Sequence, residues 1–159
     1  MQLKEVCLTM GCVVTSRVEF DLTYVMKMNG IYNLQSHRCR FEASVSSHDS
    51  SKSLIITFKD LKDLMASIFP DNPIVFASCD IERDMNIKRL VSVLHDFSDP
   101  LVVNPLVVIP TNESLCVEEL LKYLSNELSA LLDSQYPDVY VIETRLRENN
   151  ESYVTLSCK

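Results

Sequence analysis

Apolar and polar positions alternate through two long stretches early in the chain. From Cys12 to Met28, Val14, Ser16, Val18, Phe20, Leu22, Tyr24 and Met26 share one face, while Arg17, Glu19 and Asp21 open the other. A period of two belongs to a half-buried strand. Asn29-Gly30 is a turn signal, and Ile31 to Ser36 reads as a loop. From His37 to Ser46, Cys39, Phe41, Ala43 and Val45 alternate against Arg38, Arg40, Glu42 and Ser44, predicting a second strand. Ser47 to Ser53 is a polar tip, after which Leu54 to Ile56 is expected to extend the pairing.

The period then changes to that of a helix. Leu61, Leu64, Met65 and Ile68 line one face of a segment from Phe58 to about Phe69, with Thr57 as cap and Pro70-Asp71-Asn72-Pro73 as stop. Ile74 to Ser78 predicts a short strand. Asp84 to Phe97 predicts a second helix through Ile87, Leu90, Val91 and Leu94, broken by Asp99-Pro100. Leu101 to Ile109 predicts an apolar strand whose Pro105 suits an edge or a bulge. The longest helix follows Pro110 and ends near Leu132, with Val117, Leu120, Leu121, Leu124, Leu128 and Leu131 together. Thr111 or Asn112 is placed to cap it, and Glu113 falls in its first turn, where a carboxylate suits the helix dipole. Val139 to Arg147 and Tyr153 to Leu156, joined by Glu148-Asn149-Asn150-Glu151, form a last strand pair. The order predicts one α+β domain over residues 1–159, an antiparallel sheet covered on one side by helices.

Composition narrows the function classes. The 159 residues are 47% hydrophobic and 23% charged, ordinary for a globular chain with a real core. A net charge of -7 argues against nucleic acid, since phosphate backbones need clustered Lys and Arg. The apolar runs are too short for a membrane span. Met1 to Glu5 lacks a signal-peptide pattern, and Cys7, Cys12, Cys39, Cys79, Cys116 and Cys158 form no CxxC pair. Reduced thiols and a cytoplasmic location are therefore expected. Gly11 and Gly30 are the two glycines, too few for a P-loop or GxGxxG.

Six segments, in order, resemble one family. Phe20-Asp21-Leu22-Thr23-Tyr24 resembles the F-x-A-A-H strand of 6-pyruvoyltetrahydropterin synthase and 6-carboxytetrahydropterin synthase, and His37-Arg38-Cys39 stands where that family has H-G-H. Ile55 to Lys62 is similar to its V-I-D-F-x-x-L-K, and Asp71-Asn72 to its Asp-His pair. Pro110 to Leu115 is similar to P-T-x-E-N-L, and Val141-Ile142-Glu143-Thr144 to the late E-T strand. The resemblance implies the tunnelling fold, with a four-stranded antiparallel sheet and two main helices on one face. It also implies a homo-oligomer, commonly a hexamer, with a pterin pocket at a subunit interface. The late Glu, here Glu143, would hold the ring by paired charge-assisted hydrogen bonds, with Thr111 and Glu113 as further ligand-binding residues.

The resemblance implies zinc on three histidines, and the matching positions are Tyr24, His37 and Cys39. One histidine is left; His37 and Cys39 are the candidate ligands and could still bind a zinc, but two ligands seldom make a tight site. Asn33 stands at the family's catalytic cysteine, and the Asp-His relay becomes Asp71-Asn72, leaving Asp71 as the catalytic candidate. An alternative alignment through Asp99-Pro100 also lacks the His. Each residue has a plainer role too. His37 and Cys39 could simply pack, Thr111 could only cap, and Glu113 could be only a first-turn acid. His95 and His48 read as helix-surface and loop residues. Arg38, Arg40 and Lys27 could meet a phosphate, though a solvated strand face is simpler. Glu143 stands out because a carboxylate in an apolar strand costs energy unless paired. Three functions are therefore weighed: a divergent pterin binder, a zinc-dependent lyase on 7,8-dihydroneopterin triphosphate with a remodelled site using His37, Cys39 and Asp71, and a structural or partner-binding oligomer.

Overall fold

The computed structural model describes residues 11–96, 105–149 and 151–158. The alternating stretches form β1 (Val13–Met28) and β2 (Ile31–Ser47), which pair antiparallel along their whole length. The expected loop from Ile31 to Ser36 is strand instead. Asn29 and Gly30 adopt φ of 52° and 80°, the two positive values of the tight hairpin turn whose twist matches its strands. Met28 is thereby paired directly with Ile31, and no loop is needed. Leu54 to Ile56 is not a strand; Ile55 and Ile56 are buried in an irregular segment leading to α1 (Phe58–Ala66). Thr57 caps α1 as expected, its Oγ1 accepting from the Asp60 N–H at 3.0 Å.

The middle of the chain departs from an antiparallel meander. Strand β3 (Ile74–Ala77) runs parallel to β1 through Thr23 and Tyr24, and β4 (Leu106–Ile109) runs parallel to β3. Between them lie α2 (Ser78–Arg83), which the sequence reading did not anticipate, and α3 (Met85–Asp96). The Asp84 carboxylate caps α3 by accepting from the N–H groups of Asn86 and Ile87. Phe97, Asp99-Pro100 and the first half of the Leu101 to Ile109 strand lie outside the described residues, as do Cys7, Asn150 and the first five residues. Pro105 comes just before β4, an edge strand, as its missing donor requires. Helix α4 (Val117–Gln135), β5 (Val139–Arg147) and β6 (Tyr153–Ser157) complete the order.

The sheet therefore has six strands in the order β4-β3-β1-β2-β5-β6, mixed rather than four-stranded and antiparallel. Helices α1 and α4 cover one face, where Phe20, Leu22, Phe41 and Val45 meet Leu61, Leu121, Leu124 and Leu128. The far face is not bare throughout. Val25 and Phe76 alternate away from the main core, and a second cluster with Ile87 forms around them, with Leu90 and Val91 packed alongside. Helix α3 is thus placed on the face opposite α1 and α4, so the helices do not all lie on one side. The apolar stripe of α3 needs burial, and Val25 and Phe76, with Tyr32, Ile74 and Leu106 beside them, supply the matching surface. None of the described helices is long and apolar enough to cross a membrane.

Candidate functional site

Strand pairing brings Tyr24, His37 and Cys39 together on the helix-covered side of β1 and β2. His37 pairs with Leu22 and Cys39 with Phe20. The Tyr24 ring stacks on His37, with centroids 5.3 Å apart. Its hydroxyl donates to the Glu148 carboxylate at the end of β5. Burial, then the Glu148 hydrogen bond and charge, hold the Tyr24 phenol far above its ordinary range. Cys39 is wholly inaccessible to solvent, and burial pushes its thiol up to about 12. His37 shares its Nε2 with Gln35 at 3.1 Å.

These donors do not fit zinc. A thiol binds the metal as thiolate, which burial here disfavours. The Tyr24 hydroxyl is committed to Glu148. Among the described residues, no three His, Cys, Asp or Glu side chains converge as a metal site would require. Glu148 was read as a turn residue, yet it continues the period of Thr144 and Leu146. Carrying that alternation two residues further would have placed it on the helix side with Tyr24.

Asp71 is exposed on the approach to β3. It lines a concavity of about 290 Å3 with Glu19, Phe20, Asp21 and Phe69. Asn72, at φ 49°, lines the adjoining one with His37 and Arg38. The structure therefore brings Asp71-Asn72 to the neighbourhood of His37.

Thr111 and Glu113 belong to a loop, not to the first turn of α4. Cys116 occupies the cap position of that helix, without a side-chain hydrogen bond. Thr111 Oγ1 instead accepts from the Glu113 N–H at 3.1 Å and meets Glu119 at 3.0 Å. Helix α2 holds this loop. Ser78 Oγ accepts from the Thr111 N–H at 3.0 Å and lies 3.1 Å from its carbonyl. Ser114 donates to Asp80 Oδ1 at 2.8 Å, and Tyr32 approaches the same oxygen at 3.3 Å. Asp80 is 3% exposed, and its Oδ2 has no partner among the described residues. Burial, then the Asp80 charge, raises the Tyr32 phenol to about 12. Nothing in the local sequence around Asp80 marks it as a clamp, because its partners come from β2 and from a loop 34 positions on.

Glu143 sits at a bulge. Ser44 pairs with Glu143 and Val45 with Val141, so Ile142 is the extra residue in β5. The bulge turns Glu143 to the far face, while Thr144 points inward to Ser125 of α4. Its carboxylate accepts from Arg145 Nη2 at 3.3 Å, and the side chain is 39% exposed. Glu143 and the Thr111 loop are far apart in one chain. Glu143 lies level with Thr15 of β1 through Ser44. Ile109 lies level with Ala77, two positions beyond the Val75–Tyr24 pair. The separation along the sheet is thus roughly 35 Å at about 3.3 Å per residue. Of four concavities between about 250 and 360 Å3, none is lined by Glu143, Thr111 or Glu113. His48, read as a loop residue, stacks on Tyr140 at 4.4 Å and lines the one of about 360 Å3.

No family model matches the sequence, and no curated protein matches it. The fold does have solved counterparts. An uncharacterised protein from Wolinella succinogenes superposes with a TM-score of 0.62 at 14% identity, covering 93% of this chain and 99% of that one. The 6-pyruvoyl tetrahydropterin synthase of Caenorhabditis elegans superposes with a TM-score of 0.55 at 10% identity, covering 94% and 96%. The α+β fold with a mixed sheet is therefore similar to that of 6-pyruvoyl tetrahydropterin synthase.

Proposed function

We propose that the chain is a divergent 6-pyruvoyltetrahydropterin synthase-like protein that binds a pterin-type heterocycle at a subunit interface, with Glu143 as the anchor. The observation that carries this reading is the placement of Glu143. A bulge directs its carboxylate onto the far face, where it accepts a single long hydrogen bond among the described residues. Such a carboxylate has acceptor capacity for a pair of ring N–H donors. With roughly 35 Å between them in one chain, Thr111 and Glu113 would serve the Glu143 of a neighbouring copy. The sheet supports such an assembly. Residues 31–39 of β2 and 13–22 of β1 have no second strand beside them among the described residues, and unpaired edges of that length invite partners. A hexamer is the proposed form.

The proposed protein holds no zinc at Tyr24, His37 and Cys39, and Asp71 is the one acid–base candidate carried over from the resemblance. A second reading, a structural or partner-binding oligomer without a ligand, is favoured by the same strand edges of β1 and β2, which call for a partner and not for a ligand. Calorimetry with neopterin or biopterin separates the two. Glu143→Gln keeps the shape but turns one acceptor into a donor facing the ligand's N–H groups. It should cost on the order of 2–4 kcal/mol of binding, by loss of a charge-assisted pair. Equal affinity in both proteins would remove Glu143 from the site. Binding to neither would favour the structural reading.

A further inference from the structure

The far face of the sheet gathers positive charge in a chain whose net charge is -7. Register sets Glu19, Arg40, Arg147 and Tyr153 in one row, with Arg17, Glu42 and Arg145 in the next. Among the described residues, three cations of this face are paired with carboxylates, Arg145 with Glu143 at 3.3 Å among them. Arg38 forks onto Asp21 at 2.8 and 3.1 Å, and Arg40 bonds Glu19 at 3.2 and 3.0 Å. Arg147 has no carboxylate at ion-pair distance among the described residues. Glu148, next in sequence, accepts from the Tyr24 hydroxyl.

The guanidinium carbons of Arg145 and Arg147 lie 4.7 and 4.8 Å from the centre of the Tyr153 ring. The Nε of each is buried and has no hydrogen-bond partner among the described residues. Two guanidinium groups are thus held against one ring, and of the two Arg147 has no carboxylate beside it among the described residues. Beside Arg147 opens a concavity of about 250 Å3, lined also by Glu19, Arg38, Arg40, Glu148 and Asn149. A water takes up about 30 Å3, so the space has room for a phosphate or diphosphate group.

We propose that this concavity binds a phosphoryl oxoanion, with Arg147 as the principal fork and Arg40 and Asn149 at its rim. Guanidinium presents parallel N–H donors that match two oxygens of such a group. Stacking on Tyr153 fixes the plane of that fork before the anion arrives, which lowers the ordering cost of binding. An anion also gives Arg147 the counter-charge that Glu143 gives Arg145. The two carboxylates in the lining, Glu19 and Glu148, are already engaged by Arg40 and Tyr24. Arg147 is four residues along β5 from Glu143, about 13 Å, so this site stands or falls apart from the heterocycle site.

The test is a titration of the full chain with inorganic phosphate and with pyrophosphate, against sodium chloride at matched ionic strength. Calorimetry and the arginine Nε–H NMR resonances give the readout. Pyrophosphate should saturate and shift the Arg147 resonance. Arg147→Gln should weaken it about tenfold or more, the loss of one charged hydrogen bond. Arg147→Lys, which keeps the charge and loses the fork, should fall between and serves if the Gln variant does not fold. No saturation in the wild type, the same response to chloride, or undiminished binding in both variants would overturn the site.

Discussion

Replacing Tyr24 with Phe isolates the contact that stands where the resembled family places a metal ligand. Phe fills the same buried space and keeps the ring stacked on His37, so no cavity term enters. What is lost is the hydroxyl that donates to Glu148. Hydrogen bonds to charged groups contribute about 1.5–3 kcal/mol. Glu148 is half-buried and can turn toward water in the variant, which sets the expected loss near the lower end, about 1.5–2 kcal/mol. With a urea slope of about 2 kcal/mol per molar, the midpoint should fall by roughly 1 M. The deficit carries a pH signature. Burial first, and Glu148 second, raise the Tyr24 pKa above the ordinary 10.0. The contribution is therefore complete below about pH 10. Above it the unfolded chain loses the phenolic proton while the fold retains it, so stability falls by about 1.4 kcal/mol per pH unit. Tyr24→Phe should lack that decline, and the gap from wild type should narrow above pH 10. Cys39, raised by burial from 9.0 to about 12, adds a decline of the same sign to both proteins from about pH 9. Urea unfolding of wild type, Tyr24→Phe, Glu148→Gln and the double variant gives the coupling directly. Tyr24→Phe within about 0.5 kcal/mol of wild type at pH 7, with additive single losses in the cycle, would refute the reasoning.

Ser125→Ala should cost about 1–3 kcal/mol, because it leaves the Thr144 hydroxyl, wholly buried, without a partner. Thr144→Val should cost less, since Ser125 keeps its bond to the Leu121 carbonyl at 2.8 Å. Denaturant unfolding checks the order, and equal losses would contradict it. Sedimentation velocity at micromolar concentration should show a particle several times the 18.1 kDa chain. A lone monomer would remove the shared heterocycle site, because Thr111 and Glu113 would then have no Glu143 within reach.

The fold was legible where local period and burial coincide. The alternation of β1 and β2 and the leucine stripe of α4 each name an element and its inner face, and the structure buries those faces. Asn29-Gly30 specifies more than a change of direction. Two residues able to take positive φ specify a two-residue hairpin, and that extends β2 back to Ile31. Strand direction was not legible in the middle of the chain. A four-residue strand such as Ile74–Ala77 has the same pattern whether parallel or antiparallel. The crossover through α2 and α3 decides it, and α2 is only six residues long, too short for a period to emerge.

The candidate site divides along the same line. Neighbours on adjacent strands, such as Tyr24 and His37, follow from the hairpin register, so a sequence reading can place them together. Contacts made through elements remote in sequence do not follow. Tyr24 reaches Glu148 across 124 positions, and Asp80 reaches Ser114 across 34. The capping reading of Thr111 failed for a physical reason. Its hydroxyl can close a turn on the Glu113 N–H as readily as a helix end, and Leu115, 2% exposed, anchors the loop in the core before the helix begins. Thr111 and Glu113 are thereby held off the helix axis, and the hydroxyl of Thr111 is already committed. Glu113, exposed on the loop, is then the member of the pair with acceptor capacity to offer a neighbouring copy. A ligand gripped from both sides would meet a carboxylate from each subunit, Glu143 from the sheet face and Glu113 from the clamped loop. That arrangement suits a ring rich in N–H donors and opposes one that presents only acceptors.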